Sequence, residues 1–434
     1  MVEKYHKLQQ AIIGTLVNWP HEIDTACRYI DSATFIHPSY RQIFEWLVAN
    51  ENEVNLVNLG LAFQNSISEI MCWCDEQVTS AFLPQYCRDL KEASRKVALV
   101  DLASMVKAAE DKTSIEITEM IESALSVQHR QYNEPSLAQD LVKSIATRLE
   151  ERQQRGTSIT GMPYGYGELD KATQGMHKGD LVIVAGRPSM GKTALGLNIF
   201  ENVCHKGGSA LFFSLEMSKD QLVDRMVASK GRIKFQSIRS GNFADHDWVR
   251  LTDVCQKMFK WKFAIDDTPG ISLTDIKRKA RKFKKRYGLD VLIIDYLQLM
   301  RLPLRENRVQ AIGEVSRGLK QLARELEITI MALSQLNRGV DSRPDKRPTM
   351  SDLRDSGEIE QDADVILFPF RPAAYCDKCR DKVDDATHSL VAHQSQAEVI
   401  IEKQRNGERN LSIPMVWHGH YQRFESREIE RNKI

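Results

Sequence analysis

The sequence predicts a two-part α/β protein: a small all-helical N-terminal domain, then a linker with one docking helix, then a larger domain on a mostly parallel sheet. Three observations predict it. From about residue 168, short apolar runs of strand length alternate with stretches of helical spacing. Before about residue 128, helical spacing prevails without strand-like alternation. Between the two, the polar patch His129 to Pro135 interrupts both patterns. The expected boundaries are therefore 1–128, 129–160 and 161–434.

At 434 residues the chain is long enough for two or three domains with real cores. A hydrophobic content of 42% with 27% charged residues is that of an ordinary globular protein, which excludes a disordered or fibrous chain. No apolar run reaches ~18 residues, and no basic-then-apolar leader opens the chain. The cysteines at 27, 72, 74, 87, 204, 255, 376 and 379 are too scattered for a disulfide framework, so a cytoplasmic protein is expected. With a net charge of +1, any contact with nucleic acid must come from local patches.

In the N-terminal part, Leu8, Ile12 and Leu16 fall at steps of four, and Ile43, Phe44 and Leu47 mark a second apolar face. Repeated Glu, Lys, Ala and Leu through 90–125 continue the helical reading. No catalytic motif is visible there, so this part reads as a packing or docking domain. In the linker, Ser136-x-x-Gln139 has the form of a capping box. Leu137, Leu141, Ile145 and Leu149, with Val142 beside them, make an apolar stripe about four turns long. A lone helix of that length is marginal in water, so it should dock on its own domain or on a neighbouring subunit. Gly156 to Gly167 then reads as a loop.

Strands are expected at 181–185, 209–214, 291–295, 328–333, 364–368 and 397–402, with helical material between most of them. A parallel sheet wrapped by helices places ligand chemistry at the strand C-terminal ends. The motifs sit there. The run Leu181 to Ala185 is followed by Gly186-Arg187-Pro188-Ser189-Met190-Gly191-Lys192-Thr193, which fits G-x-x-x-x-G-K-[ST] between a strand and a helix. The loop backbone through Ser189 and Gly191 would face an anion. Lys192 would reach β- and γ-phosphates, and the Thr193 hydroxyl would hold Mg²⁺. The chain is expected to bind ATP or another nucleoside triphosphate.

Phosphoryl transfer to water further needs a metal anchor, a group that orients water, and positive charge at the γ-phosphate. Val291 to Ile294 is an apolar run ending in Asp295, a candidate for the Mg²⁺ shell. Ala210 to Leu215 likewise ends in Glu216, a candidate to polarise the attacking water. A strand-end acid is more often a solvated or capping residue; two of them downstream of one phosphate loop make the functional reading the stronger. Thr329 to Ser334 ends in Gln335, whose amide could sense the γ-phosphate.

Together these residues resemble a known family. Residues 161–434 are similar to the RecA-like motor of DnaB-type replicative helicases. The matching segments begin with Gly179-Asp180-Leu181, the phosphate loop, Phe213 to Ser218 and Ile294-Asp295-Tyr296-Leu297-Gln298-Leu299-Met300. They continue with Leu333 to Arg338, Asp352 to Gly357, Ile359 to Asp364 and Glu402 to Gly407. The helical part resembles that family's collar more loosely, through Ala11 to Gly14 and Phe35 to Pro38. The resemblance implies a homohexameric ring that moves 5′ to 3′ on single-stranded DNA and meets a primase and a helicase loader. It implies Glu216 as the catalytic glutamate, Asp295 as the metal-coordinating aspartate and Gln335 as the γ-phosphate sensor. Lys403 and Arg405 resemble the pair supplied by the neighbouring subunit, with Arg405 as the arginine finger, and Arg225 resembles a residue beside the nucleotide base. The helix at 137–150 resembles the linker helix that docks on the next subunit.

A finger also has a physical rationale. Asn406 and Gly407 read as a turn after strand 397–402, which puts Lys403 and Arg405 at a rim. A guanidinium is planar, permanently charged and suited to phosphate oxygens. For DNA contact, Ile276 to Tyr287 carries eight Lys or Arg, yet Ile276, Ala280, Phe283 and Tyr287 recur at helical spacing. That stretch reads as a helix covering the sheet with its charges in water. The expected DNA contact is instead the loop at Arg354, Asp355, Ser356 and Gly357, where the family tracks the strand's phosphates and a glycine permits close approach. Arg338 to Pro348 reads as a second, flexible loop.

Cys376-x2-Cys379-x8-His388-x4-His393 departs from the family. Its first half has zinc-knuckle spacing, but the central gap is shorter than the ~12 residues of the usual finger, so an ordinary loop with unpaired thiols is the expectation. Two rivals to a ring helicase remain open at this point: a RecA-fold ring or filament ATPase without unwinding, and a nucleotide-bound loading scaffold.

Overall fold

The computed structural model describes residues 2–109, 159–302, 308–384 and 388–427, with six isolated positions between 117 and 149. The chain divides into two units, 1–142 and 143–434. That division falls within the expected linker, most of which lies outside the described residues. Of its stripe, Val142, Ile145 and Leu149 are described; all three are helical, and they are 65%, 46% and 55% exposed, while Leu137 and Leu141 lie outside the described residues.

The N-terminal unit is helical throughout its described residues. Helix Val2–Asn18 packs against Ile67–Asp75 and Leu83–Ala108. The contact with Ile67–Asp75 is backbone to backbone: a Cβ on Gly14 would lie 2.3 Å from the Trp73 carbonyl oxygen. Ile12, Leu16, Ile43, Phe44 and Leu47 are all buried, as their spacing requires. His37 accepts the Ser39 amide and Pro38 supplies the preset φ at N1, which together start helix Pro38–Ala49.

The second unit is built on nine strands: β1 Leu181–Gly186, β2 Ser209–Ser214, β3 Lys262–Asp266, β4 Val291–Asp295, β5 Thr329–Gln335, β6 Val365–Phe370, β7 Gln396–Gln404, β8 Leu411–His418 and β9 Arg423–Ser426. Their order is β3-β2-β4-β5-β1-β6-β7-β8-β9. The first six of these positions are joined in parallel and the last three antiparallel. Val182, Val184, Phe212, Ile293 and Leu333 pack with Leu195, Ile199 and Phe200 of helix Lys192–His205 on one face. Leu181, Ile183, Phe213, Ile294 and Ala332 pack with helices Leu273–Tyr287 and Arg308–Glu325 on the other. Burial on both faces is why these strands read as continuous apolar runs.

Three strands escape the sequence reading, each for a physical reason. β3 is an edge strand, half-exposed and bounded by Lys262 and Asp266. β8 alternates in burial, because one face is covered, and contains Pro414. β9 is four residues long.

Helix Leu273–Tyr287 buries Ile276 and Ala280 and holds its charges outward in ion pairs. Arg278 meets Asp275 at 2.9 Å, Lys279 meets Asp266 at 2.6 Å, and Arg281 meets Glu325 at 2.7 Å. It covers the sheet.

Candidate active site

Strand register brings the motifs to one rim. Ser214 pairs with Asp295, and Gly186 pairs with Gln335. The chain leaving β1, β2, β4 and β5 therefore opens on the same edge, with the phosphate loop, Glu216, Asp295 and Gln335 along it.

The phosphate loop is braced from three sides. Ser189 has φ +70°, a conformation that costs free energy for a residue with a side chain and persists only when its surroundings hold it. Arg371, the residue after β6, donates from Nη1 to the Ser189 carbonyl at 2.9 Å and lies over the Trp417 ring. Gly191 has φ +88° at the start of helix Lys192–His205, and a Cβ there would meet the Phe424 ring at 2.8 Å. Arg187 donates twice to Asp341, at 2.9 and 2.5 Å, and once to the Leu336 carbonyl at 3.1 Å. Tyr375 donates to the other Asp341 oxygen at 3.0 Å.

Asp295 is fully buried, and neither of its carboxylate oxygens has a hydrogen-bond partner among the described residues. Burial raises its pKa; Lys192, Thr193 and Arg225 pull it back down and Glu216 pushes it up. Thr193 is close enough to act on this carboxyl, although no hydrogen bond of normal geometry joins them. A buried carboxylate with open lone pairs beside a threonine hydroxyl suits a hard cation, which takes oxygen ligands. The donor set fits Mg²⁺.

Lys192 lies with its ammonium 4.4 Å from the centroid of Tyr296. Burial lowers its pKa, and Asp295 and Glu216 oppose that fall. Glu216 is exposed, just beyond β2, where a carboxylate can meet a water molecule. Gln335 ends β5 and is exposed; its backbone N–H donates to Gln298 Oε1 at 3.4 Å, and the Gln298 side chain in turn donates to Ser334 Oγ at 2.8 Å. Arg225, on helix Lys219–Gly231, is largely buried between Phe235 and Gln422, within electrostatic reach of Asp295 and Glu216.

Lys403 and Arg405 are elsewhere. β7 runs on to Gln404, so Lys403 lies inside the strand, paired with Ile366, and only Arg405 follows it. Because β7 is antiparallel to β6, this end of β7 lies where β6 and β1 begin. Lys403 donates to the Glu360 carbonyl at 2.5 Å and Arg405 to the Gln361 carbonyl at 2.6 Å. The full length of β1, roughly 17 Å at ~3.3 Å per residue, separates Arg405 from its own phosphate loop, and about half that length separates Lys403, which is level with Ile183.

The expected DNA segment is a 3₁₀ turn, Met350–Ser356, running directly into the short helix Gly357–Asp362. Gly357 has φ −53°, and a Cβ there would meet nothing within 4 Å. Nothing among the described residues crowds the position. Arg354 and Asp355 lie on the backbone of that turn. Residues 338–348 are also more ordered than a flexible loop. Arg343 is held by Asp352 at 2.7 Å, Arg347 by Glu398, and Asp341 by Arg187 and Tyr375.

Cys376, Cys379, His388 and His393 converge, with one ligand atom from each lying within 4.8 Å of the others. The thiols are unpaired, as expected, and all four side chains meet at one point. The cysteine spacing half-signalled this; that His388 and His393 reach the same point did not show in sequence.

Sequence reasoning passed over Arg371, Asp341 and Phe424. Arg371 carried a legible signal, since it follows an apolar strand as Glu216 and Asp295 do. The other two depend on distant contacts.

A mostly parallel sheet with a phosphate loop after its central β1 and carboxylates after β2 and at the end of β4 defines a RecA-like nucleoside triphosphatase. The chain belongs to the DnaB-like replicative helicase family. The DnaB-like helicase C terminal domain matches residues 161–426. The replicative DNA helicase DnaC of Bacillus subtilis is 35% identical over 92% of this chain and 89% of its own length. The replicative DNA helicase DnaB of Geobacillus stearothermophilus is 37% identical over the same shares. Among solved structures, a DnaB-like replicative helicase described with its primase interactions superposes with a TM-score of 0.67 at 28% identity, covering 97% of this chain and 99% of that one. A second solved structure, an isolated ATPase domain, superposes at 0.59 with 36% identity, covering 66% of this chain and 98% of that domain. No helix among the described residues is long and apolar enough to cross a membrane.

Proposed function

We infer that this chain is the motor subunit of a replicative DNA helicase, which hydrolyses ATP to travel 5′ to 3′ on single-stranded DNA and part the duplex at a fork. Six copies form the ring. The observation that carries this reading is the placement of Arg405 a full strand length, and of Lys403 about half of one, from their own phosphate loop. A pocket holding Lys192, Glu216 and Asp295 lacks a cation for the γ-phosphate from that pair unless another copy supplies it.

Within one pocket, the phosphate-loop amides and Lys192 hold the β- and γ-phosphates. Thr193 and Asp295 would hold Mg²⁺, which when bound neutralises charge on the phosphate oxygens. Glu216 orients a water and takes its proton as the water oxygen bonds to the γ-phosphorus. The bond from that phosphorus to the β–γ bridging oxygen breaks, and ADP departs. Lys403 and Arg405 of the adjoining copy meet the negative charge that spreads over the γ-phosphoryl oxygens. Gln335 reports the presence of the γ-phosphate to the segment beyond β5. Arg225 borders the pocket on the side of the base.

Residues 1–128 serve as the collar, 129–160 as the linker and 161–434 as the motor. The exposure of Val142, Ile145 and Leu149 supports docking of the linker stripe on a neighbouring copy. Arg354, Asp355 and Gly357 follow the DNA phosphates; an uncrowded glycine in helical conformation leaves room for that backbone. A primase and a loader are the expected protein partners, and the collar is their docking surface.

The test is strand displacement on forked DNA with each tail polarity, run beside a mass measurement of the assembled particle. Displacement that requires the 5′ tail, by a particle of six copies, is expected. Hydrolysis with no displacement on any fork would return the reading to a RecA-fold ring or filament ATPase.

A further inference from the structure

The excursion between β6 and β7 holds a cluster that nucleotide hydrolysis does not use. Cys379 Sγ lies 3.3 Å from His388 Nε2 and 3.1 Å from His393 Nδ1, and Cys376 brings a second sulfur to the same point. The two imidazoles meet edge to face, 5.0 Å between centroids and 82° between planes. Cys379 is buried and the other three are half-buried. A thiol that donates to one ring nitrogen and accepts from the other accounts for these two contacts, but not for a second sulfur arriving at the same point. A tetrahedral zinc with Zn–S near ~2.3 Å and Zn–N near ~2.0 Å needs ligand atoms about 3.3–3.8 Å apart, which is close to what is seen.

We propose that Cys376, Cys379, His388 and His393 bind one structural zinc ion. Two thiolates and two neutral imidazoles form a borderline-soft tetrahedral set, and four protein ligands leave no open position for catalysis. Binding releases the two thiol protons to solvent and changes no oxidation state.

The ion also has a mechanical role. Tyr375, immediately before Cys376, donates to Asp341, which clamps Arg187 of the phosphate loop. Arg371, four residues before Tyr375, donates to the Ser189 carbonyl. Zinc closes the excursion directly behind these two contacts, and so stiffens the outer brace of the phosphate loop.

The test is metal analysis of the purified full-length chain grown with zinc in the medium, which involves no turnover and stands apart from whether the chain unwinds DNA. About one zinc per chain is expected. Cobalt exchanged into the site should show the intense visible absorption of a tetrahedral thiolate complex. Cys379→Ser and His393→Ala should each lose most of the metal, whereas Cys376→His, which preserves a ligand, should keep it. Less than about a tenth of a zinc per chain in the parent protein, or undiminished zinc in a variant lacking both cysteines, overturns the proposal. Should Cys379→Ser fail to fold, release of one zinc on thiol modification of the parent protein supports the site, and release of none overturns it. For the brace, removal of the metal should weaken binding of a fluorescent nucleotide several-fold; unchanged binding removes that role.

Discussion

Arg405 lies against Asp364, Nη1 to Oδ1 at 3.3 Å, and the other Asp364 oxygen accepts the amide of Leu181, the first residue of β1, at 2.7 Å. Lys320 joins the same oxygen at 2.5 Å. The expected finger is thus anchored where β1 begins, while the phosphate loop starts where β1 ends. One copy cannot bring the two together.

Arg405→Ala should therefore leave nucleotide binding intact and lower turnover by ~10³ or more. Mixed with a copy carrying Glu216→Ala, it should recover part of that turnover, because some junctions then pair an intact Glu216 with an intact Arg405. Steady-state hydrolysis across mixing ratios checks this, and a mixture with no activity at any ratio contradicts action across the interface.

Asp295 makes an opposite pair of expectations. Its folded pKa is raised by burial, so in the empty protein the neutral form is favoured. The stability it contributes is fully present below its unfolded pKa and is lost as pH rises through the folded value. At neutral pH, well above the unfolded value, Asp295 therefore lowers the stability of the empty protein. Asp295→Asn should raise the melting temperature of nucleotide-free protein at pH 7, with the gain shrinking as pH falls, while abolishing hydrolysis. Melting curves across pH in the absence of magnesium test it; a variant that melts lower at pH 7 contradicts it.

Gly191→Ala forces a methyl to within 2.8 Å of the Phe424 ring at a φ of +88°. Nucleotide binding should fall by tenfold or more, equivalent to at least ~1.4 kcal/mol. Phe424→Ala opens a cavity instead and should cost about 3–5 kcal/mol of stability. Equilibrium unfolding and nucleotide titration distinguish the two.

Gly357→Ala should separate folding from function. The position is helical and uncrowded, so alanine should leave stability unchanged or raise it by up to ~1 kcal/mol. Affinity for single-stranded DNA and DNA-stimulated hydrolysis should both fall several-fold. A variant as active on DNA as the parent would remove Gly357 from the DNA path.

What was legible in the sequence follows from how locally each feature is determined. β1, β2 and β4 to β6 announce themselves because burial on both faces makes them continuous apolar runs, β7 does so through its central Val399-Ile400-Ile401, and Lys192, Glu216, Asp295 and Gln335 are read from their place beside or at the ends of the longer runs. β3, β8 and β9 are edge-like, one-sided or short, and carry no such run. The brace on Ser189 comes from a residue 182 positions away, so no window along the chain contains both. The length of β7 also misled: apolar character stops before Lys403, but pairing with β6 continues to Gln404. The four zinc-ligand candidates lay between these cases, with spacing suggestive for the cysteines and unusual for the histidines.

Phe424 sits under the phosphate loop, yet it is among the final residues of this fold to be made. A chain still emerging from the ribosome has its G-x-x-x-x-G-K-T segment long before the ring that seats it. The contact that seats the loop can therefore form only once the ninth strand has been laid in place.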